Sequence, residues 1–400
     1  MANPLGKISS SLAVKRARSQ DSRRSHNASP TLPPIAKAPK TEEQDADVGV
    51  PAFLRQSKTD VYTKFQDLEW QQHLRLAEGR ADSSSRWARD LTPQVNLRNR
   101  YLSLQPWANS RIHLKVAEGK LDYINASPIS LTSAARETTY IVTQGPLQTG
   151  LSHFWQMVWH ETANVAVIVM LTQTAEAGRE KCFQYFPLDE EVQKFQFEII
   201  EDDEETSPEG TIQLQETAYN EDARSTVRKL IMTVGKEKKI VWHLLFSGWP
   251  DFAIPEAEDR TALLELLKLS TTKNECMSSP RIIHCSAGVG RSGTFIALEF
   301  LLAQLEAGAI PRAGEKEDII YDVVNRLREQ RMTMVQSEIQ YHFLYEVLRE
   351  QFEQWQVKQV SGDKAPAEGV HQITESVTST LLHETGFENG HEEGKNLDTP

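Results

Sequence analysis

The segment from His284 to Thr294 constrains the fold of this chain more than any other, because it carries three glycines in a tight turn. The apolar run at 281–283 predicts a short buried strand before the turn, and residues 292–305 predict a helix after it. A strand, a tight loop and a helix in this order point backbone N–H groups and a helix dipole at an anion. The segment therefore predicts a phosphate-binding loop between a strand and a helix.

Three side chains of this segment are suited to phosphoryl chemistry. Cys285 lies at the base of the loop, where the N–H groups and the dipole lower the pKa of a thiol and favour a nucleophilic thiolate. The guanidinium of Arg291 is permanently charged and can donate to two phosphate oxygens at once. Ser292 can donate a hydrogen bond to the sulfur and can also cap the helix. The positions between the cysteine and the arginine, expected to surround the phosphate, are Ser286, Ala287, Gly288, Val289 and Gly290.

The amino-acid composition excludes several classes of protein. The 400 residues include only three cysteines, too few for a disulfide framework, which favours a reducing intracellular compartment. A formal net charge of -12 argues against a nucleic-acid binder. The sequence shows no N-terminal apolar core followed by a small-residue cleavage site, and no run of about 18 apolar residues, the length that spans a membrane, so we expect no secretory leader. We therefore expect no membrane span and a cytoplasmic location, with the nucleus as a second one.

Composition also divides the chain into a domain and two tails. Residues 1–52 are rich in Ser, Pro, Lys and Arg and predict a disordered basic tail. Residues 53–355 carry the apolar patterning of a folded domain, and residues 356–400 predict a disordered acidic tail. The basic cluster at 15–18 is consistent with a nuclear address, with a docking patch for an acidic partner, or with simple solvated charge.

Strand-like and helical patterns interleave along the central domain. They predict an α/β fold, a single large domain in which a highly twisted mixed β-sheet is flanked by α-helices. The acidic stretch at 201–205 predicts a solvated hairpin between two strands. The predicted strands besides 281–283 are 112–116, 140–142, 165–170, 195–200, 230–234 and 240–246. The predicted helices are 61–77, 151–161, 261–269, 292–305, 316–328 and 339–352.

The loop at 284–294 resembles the signature loop of the tyrosine-specific, non-receptor protein tyrosine phosphatases. Trp249-Pro250-Asp251 resembles the closing loop that carries the general acid in that family. Residues 334–340 resemble its glutamine loop, and Asn99-Arg100-Tyr101 resembles its phosphotyrosine-recognition loop. The resemblance implies that residues 53–355 form a protein tyrosine phosphatase catalytic domain.

The resemblance further implies a two-step hydrolysis that needs no metal and no cofactor. Cys285 attacks phosphorus, Arg291 and the loop amides hold the phosphate oxygens, and Asp251 protonates the departing oxygen. In the second step Gln336, ranked above Gln340, positions the attacking water, and the aspartate accepts a proton from it. The two glutamines are four residues apart, a spacing that places them on one face of a helix start.

Supporting residues are expected around this machinery. Glu176 resembles the residue that steadies Arg291, and Lys181 resembles the one that pairs with Asp251 when the acid loop closes. The remaining supporting positions, beside the cysteine and in the acid loop, are His284 and Trp249.

The resemblance also bears on substrates and partners. The Tyr101 ring would pack on the substrate ring, which makes a slot that phosphotyrosine fills and the shorter phosphoserine does not. Ser103 stands where the family usually carries an aspartate, so we expect looser peptide binding. The expected partners are tyrosine-phosphorylated proteins, and the expected state is a monomer. Arg23-Arg24, followed by Leu32 and Ile35, resembles a docking site for a MAP kinase.

Two other functions remain open at this point. A phosphotyrosine-binding scaffold without turnover would have the same fold, although inactive relatives usually lose the cysteine, the arginine or the acid. A dual-specificity or lipid phosphatase generally lacks the recognition tyrosine, and a lipid site would favour basic residues at 286–290, which are neutral here. Turnover of phosphotyrosine, phosphothreonine and phosphoinositide substrates discriminates between these functions.

Overall fold

The short strand that precedes Cys285 lies inside a mixed eight-stranded sheet in the computed structural model of the protein. The structure describes residues 49–133, 137–189, 192–196, 209–251 and 253–360. All of these belong to the unit Asp47–Pro400, and the other unit, Met1–Ala46, lies outside the described ranges. Most of the two predicted tails, the basic cluster at 15–18 and the acidic stretch at 201–205 also lie outside them.

The strands of the sheet differ in direction from its centre to its edges. In chain order the strands are β1 (Ala126–Thr132), β2 (Glu137–Thr143), β3 (Val165–Met170), β4 (Ala175–Glu176), β5 (Arg179–Glu180), β6 (Gln193–Gln196), β7 (Glu209–Asn220), β8 (Ser225–Val234), β9 (Glu237–Phe246) and β10 (Arg281–His284). The sheet order is β1-β2-β10-β3-β9-β8-β7-β6, and β4 and β5 pair with each other. The four central strands β2, β10, β3 and β9 are parallel, and the outer pairs are antiparallel.

Helices cover both faces of this sheet. They are α1 (Lys58–Ala81), α2 (Pro93–Asn96), α3 (Leu151–Glu161), α4 (Ala257–Lys273), α5 (Gly290–Glu306), α6 (Ile319–Gln330) and α7 (Glu338–Val360). Short 3-10 helices lie at Ala52–Arg55, Ala108–Ser110, Gln148–Gly150 and Ile310–Arg312.

The central strands are apolar on both faces because each face is packed against helices. Every residue of β3 is buried, and alternate side chains point to opposite faces. Val167 and Val169 join a cluster that includes residues of α1, α4, α5, α6 and α7, whereas Ala166 and Ile168 join a second cluster built with α3. A continuous apolar run of this kind, rather than an alternating one, is what a parallel strand in the middle of a sheet requires.

The predicted fold class, a large mixed sheet flanked by helices, is confirmed. The prediction of a strand at 112–116 is wrong, because His113 forms only an isolated bridge with Tyr123. Four strands were not predicted, namely β1, β7 and the two-residue strands β4 and β5. β7 is mostly exposed and polar, so it lacks an apolar alternation, and β1 contains Pro128, which sheets accept only at edges such as this one.

The ends of several elements also differ from the predicted ones. The last helix, α7, continues to Val360, five residues past the predicted end of the domain at 355. The predicted strand at 195–200 overlaps β6, and its residues 197–200 lie outside the described ranges. Among the residues that the structure describes, no helix is long and apolar enough to cross a membrane.

Candidate active site

The loop after β10 is possible only with glycine at two positions. Gly288 has a φ of 68°, and a Cβ there would lie 2.1 Å from the carbonyl oxygen of Thr143. At Gly293, in the first turn of α5, a Cβ would lie 2.5 Å from the backbone nitrogen of Val335. The glycines therefore allow two neighbouring segments of backbone to approach the loop that surrounds Cys285.

The carbonyl groups of this loop are held on its outer side. Arg331 donates from Nε to the Gly288 oxygen at 2.7 Å and from Nη2 to the Ala287 oxygen at 3.1 Å. The Ser286 oxygen accepts from the Gly145 N–H at 2.9 Å. Because the C=O and the following N–H of a trans peptide point in opposite directions, the next N–H groups are directed into the loop. The loop therefore has the geometry of a nest, an arrangement of N–H groups suited to an anion.

Arg331 was not identified from the sequence, since no motif distinguishes it from other arginines of α6 and the segment that follows. Its side chain is fully buried, and it also donates to Asn125 Oδ1 at 2.7 Å. Burial lowers the pKa of this guanidinium to about 10, which leaves it charged at neutral pH. It therefore adds a permanent positive charge directly behind the anion-binding loop.

The Cys285 thiol lies at the base of the loop and is buried. Burial alone raises the pKa of the thiol, but the Arg291 charge and hydrogen bonds from Ser292 and from the Val289 amide outweigh burial, and the pKa is lowered. The Ser292 hydroxyl is itself buried and has no nitrogen or oxygen partner among the described residues. It is therefore available to bond with the sulfur.

Arg291 is buried and oriented by four groups from two segments of the chain, one after β3 and one after β9. Its Nη1 and Nη2 donate to the two oxygens of Glu176 at 2.7 and 3.0 Å, and Nη1 also donates to the carbonyls of Leu171 and Trp249, each at 3.0 Å. Nη2 contacts Asp251 Oδ1 at 3.0 Å. Burial would lower the pKa of Arg291, but its anionic neighbours raise it, and the guanidinium in turn holds the pKa of Glu176 below its usual range against burial.

Asp251 lies over the loop in the structure. Its Oδ1 contacts Arg291, and its Oδ2 forms an ion pair with Lys181. The Trp249 side chain is buried and its indole donates to the Ala253 carbonyl at 2.9 Å, which fixes the segment that carries the aspartate. The contacts of Glu176 and Lys181 are those the resemblance implied, with the acid segment folded down on the arginine.

Tyr101 reaches the loop from a distant part of the chain. Its hydroxyl lies 2.8 Å from Ser286 Oγ, which donates to the Lys181 carbonyl at 2.9 Å, so the tyrosine is the donor of the pair. The neighbouring Arg100 donates to the carbonyls of Gly145 and Pro146 at 3.0 and 2.8 Å. The ring is thus fixed at the rim of the nest, while Ser103, two residues on, is exposed.

The two glutamines have different surroundings. Gln340 Oε1 accepts from the backbone N–H groups of Gln336 and Ser337 at 3.2 and 3.3 Å, and its own N–H donates to Ser337 Oγ at 3.3 Å. This is a capping box at the start of α7, so the Gln340 oxygen is occupied. Gln336 precedes the helix, and its Cβ lies 3.3 Å from where a Cβ of Gly290 would be. Both glutamines therefore border the anion-binding loop.

His284 belongs to a buried chain of hydrogen bonds behind the cysteine. Its Nδ1 donates to the Cys285 carbonyl at 3.1 Å, so Nε2 accepts from the Tyr185 hydroxyl at 2.7 Å. That hydroxyl accepts in turn from His243 Nε2 at 3.0 Å. Burial lowers the pKa of His284 to about 4, so the imidazole is neutral. His243 was not identified from the sequence, because its position near His284 depends on the sheet order, and Tyr185 was not, because it lies between two strands in a segment without a motif.

The structure brings every site residue predicted from the sequence to one end of the sheet. The catalytic roles assigned to these residues remain predictions. Among the described residues, no group of three or more His, Cys, Asp or Glu side chains is arranged to hold a metal ion.

Comparisons with known proteins relate this arrangement to one family. A sequence model of the protein-tyrosine phosphatases matches residues 96–350. Tyrosine-protein phosphatase 1 of Schizosaccharomyces pombe is 33% identical over 305 residues, which cover 74% of this chain and 52% of that protein. The chain thus spans about half the length of that relative. Mouse tyrosine-protein phosphatase non-receptor type 7 is 37% identical over 254 residues, 63% of each chain.

A solved structure shows the same fold. The catalytic domain of human protein tyrosine phosphatase non-receptor type 18 is 28% identical, covers 74% of this chain and 96% of its own, and gives a TM-score of 0.60. The same phosphatase has been solved in complex with HER2-pY1248 phosphopeptides.

Proposed function

Because this chain belongs to the protein-tyrosine phosphatase family, we propose that it hydrolyses phosphotyrosine in proteins through a cysteinyl-phosphate intermediate. One observation carries the proposal. A thiol of lowered pKa lies at the base of a loop whose carbonyls are held outward, next to a buried arginine that is fixed by Glu176. Such a site supplies the nucleophile and the charge stabilisation that phosphoryl transfer needs.

In the first step the Cys285 thiolate attacks phosphorus, and the bond from phosphorus to the tyrosine oxygen breaks. Arg291 and the inward N–H groups hold the other phosphate oxygens. Asp251, which lies on the arginine, gives its proton to the departing tyrosine oxygen. The supporting observation is that nucleophile, cation and carboxylic acid meet at one point.

In the second step water attacks phosphorus, and the bond between phosphorus and sulfur breaks. Gln336 positions this water, because the Gln340 oxygen is already occupied at the start of α7. Asp251 takes the proton of the water, and the Ser292 hydroxyl stabilises the sulfur that leaves as thiolate. The proposal needs no cofactor, since N–H groups and guanidinium provide the positive charge.

Substrate selection is proposed to rest on Tyr101. The ring is held beside Ser286 at the rim, where a phenyl ring reaching down to Cys285 would pass it. The solved complex of the type 18 phosphatase with HER2-pY1248 phosphopeptides supports phosphotyrosine proteins as substrates. A MAP kinase substrate rests only on Arg23-Arg24, Leu32 and Ile35, which lie outside the described residues.

The wider setting is also a proposal. We expect a role in intracellular signalling for a monomer in the cytoplasm and in the nucleus. The catalytic domain is assigned to residues 53–355, with tails at 1–52 and 356–400.

The test compares three substrates in the absence of metal: a phosphotyrosine peptide, a phosphothreonine peptide and a phosphoinositide. We expect turnover of the first alone, none with Cys285→Ser, and slow turnover with retained peptide binding for Asp251→Ala. Equal turnover of the phosphoinositide would instead indicate a lipid phosphatase, and binding without turnover would indicate a scaffold. Loss of both binding and turnover in Asp251→Ala would contradict its role as the acid.

A further inference from the structure

The segment that leads into Gln336 has an unfavourable backbone conformation. Thr333 has a φ of 60° and Val335 a φ of 57°, values in the left-handed region that β-branched residues rarely adopt. Such a conformation persists only where surrounding contacts hold it. The position of Gln336 therefore depends on what holds residues 333–335.

Part of that support comes from the anion-binding loop. The Val335 N–H donates to the Val289 carbonyl at 3.2 Å. Gly293 permits this approach, since a Cβ there would lie 2.5 Å from the Val335 nitrogen. This contact fixes one side of the strained segment and leaves Thr333 and the carbonyls of Met334 and Val335 to be held from the other.

Helix α1 provides the other side. Gln72 of α1 is buried, and its Oε1 accepts from the Thr333 N–H at 3.0 Å. Its Nε2 has no hydrogen-bond partner among the described residues, so the oxygen is the polar contact that this side chain makes there. The Gln72 side chain of α1 thus supplies a hydrogen-bond acceptor for the backbone N–H of Thr333, the first residue with an unfavourable φ.

A second contact from α1 acts through an arginine. Arg328 of α6 is fully buried and donates to the Met334 carbonyl at 3.0 Å and to the Val335 carbonyl at 2.9 Å. Its Nη1 lies 2.8 Å from Glu69 Oε1 of α1. Glu69 and Gln72 are three residues apart and so lie on one face of the helix.

The helix is attached to α6 independently of these contacts. Arg75 donates to Asn325 Oδ1 at 2.6 Å, and Lys64 pairs with Asp318 at 2.5 Å. Because α1 precedes residue 96, it lies outside the part of the chain that the family model matches. Its contacts with the segment at 333–335 therefore come from outside the matched region.

We propose that α1 sets the position of the hydrolytic water by holding the strained segment, with Gln72 and Glu69 as positioning residues for Gln336. The inference rests on the proposed function. It predicts a defect confined to the second step, because among the described residues no hydrogen bond or ion pair joins α1 to Cys285, Arg291 or Asp251. Water attack, in contrast, depends on where the Gln336 amide lies. Small misplacements of a positioning group slow such a step severely.

The experiment measures p-nitrophenyl phosphate turnover by rapid mixing, in the full chain, for Gln72→Met and Glu69→Gln. We expect kcat and KM to fall together by about tenfold, with kcat/KM unchanged, because kcat/KM reports only the steps up to formation of the cysteinyl phosphate. A burst of p-nitrophenol close to the enzyme concentration should precede steady state. Gln72→Glu keeps an acceptor oxygen and should restore kcat.

Lys64→Met is the matched control, since it weakens the attachment of α1 without touching residues 333–335, and it should show neither effect. A parallel fall of kcat and kcat/KM without a burst would overturn the proposal, as would a burst in the Lys64 variant. If Gln72→Met shows no cooperative thermal unfolding, Glu69→Gln decides alone by the same criteria. Failure of the proposed function would look different, because the unaltered protein would then release no more p-nitrophenol than Cys285→Ser.

Discussion

The reactivity of Cys285 depends on two opposing effects on the pKa of its thiol. Burial disfavours the thiolate, and the Arg291 charge together with the N–H and O–H donors around the sulfur favours it. The favourable interactions outweigh burial because the groups that make them are held in place by other contacts. Glu176 holds Arg291, and Arg331 holds the loop carbonyls. A thiol buried without such neighbours behaves differently, as Cys182 shows, since burial raises its pKa.

The first prediction concerns this sulfur. The rate of iodoacetate alkylation of Cys285 should rise with pH and reach half its plateau below the range of an ordinary thiol, about 8.5. The reason is that the lowered pKa leaves the thiolate populated at lower pH. Mass spectrometry of the labelled peptide gives the rate, in a Cys276→Ser background because Cys276 is partly exposed.

Arg291→Met should move that half-point to higher pH, because the largest favourable contribution to the thiolate is removed. An unchanged half-point would mean that the loop amides alone ionise the sulfur. A half-point at or above 8.5 in the unaltered protein, about the value of a free thiol, would contradict the assignment of Cys285 as nucleophile.

At the scale of single elements, the start of α7 shows that one residue can match two sequence patterns, a helix cap and a family motif. Ser337 and Gln340 have the spacing of a capping box, and the structure contains one. The same glutamine was also considered, from its resemblance to the family motif, as a residue that positions the attacking water, ranked below Gln336. The signal for the cap was present in the sequence, whereas the difference between Gln336 and Gln340 needed the position of the helix start.

The prediction at this scale is therefore one of stability. Gln340→Ala should lower the free energy of unfolding by about 1 kcal/mol, because two backbone N–H groups at the start of α7 lose their acceptor. Gln340→Glu keeps an acceptor oxygen and should unfold at the same denaturant concentration as the unaltered protein. Urea unfolding followed by circular dichroism measures both, and equal stability of the Ala variant would exclude the capping role.

At the scale of the whole molecule, the site follows from the sheet order. The parallel strands β2, β10, β3 and β9 all end at the same edge, and the segments after them supply Gln144–Pro146, Cys285, Glu176 and Asp251. The sequence predicted most of these strands and the loop chemistry, since both are local patterns. It could not predict that β10 lies between β2 and β3, with β9 on the far side of β3, and for that reason His243 was missed. Arg331 and Tyr185 were missed because they lie outside the strands and carry no motif.

The last prediction follows from where these contacts end. All of the site contacts described above lie within residues 49–360, so a fragment of those residues should turn over p-nitrophenyl phosphate with the kcat/KM of the full chain. A fragment that starts at Asp82 lacks α1 and the 3-10 helix Ala52–Arg55, and with them the buried side chains of Phe53, Leu54, Phe65 and Leu68 in the main core cluster. Their loss exposes apolar surface and should lower the melting temperature by several degrees, since each buried side chain of this size stabilises by about 1.5–3 kcal/mol. Differential scanning calorimetry compares the two fragments. If the shorter fragment melted at the same temperature, α1 would be an appendage to the domain, and if the longer one lost activity, residues outside 49–360 would have to contribute to the site.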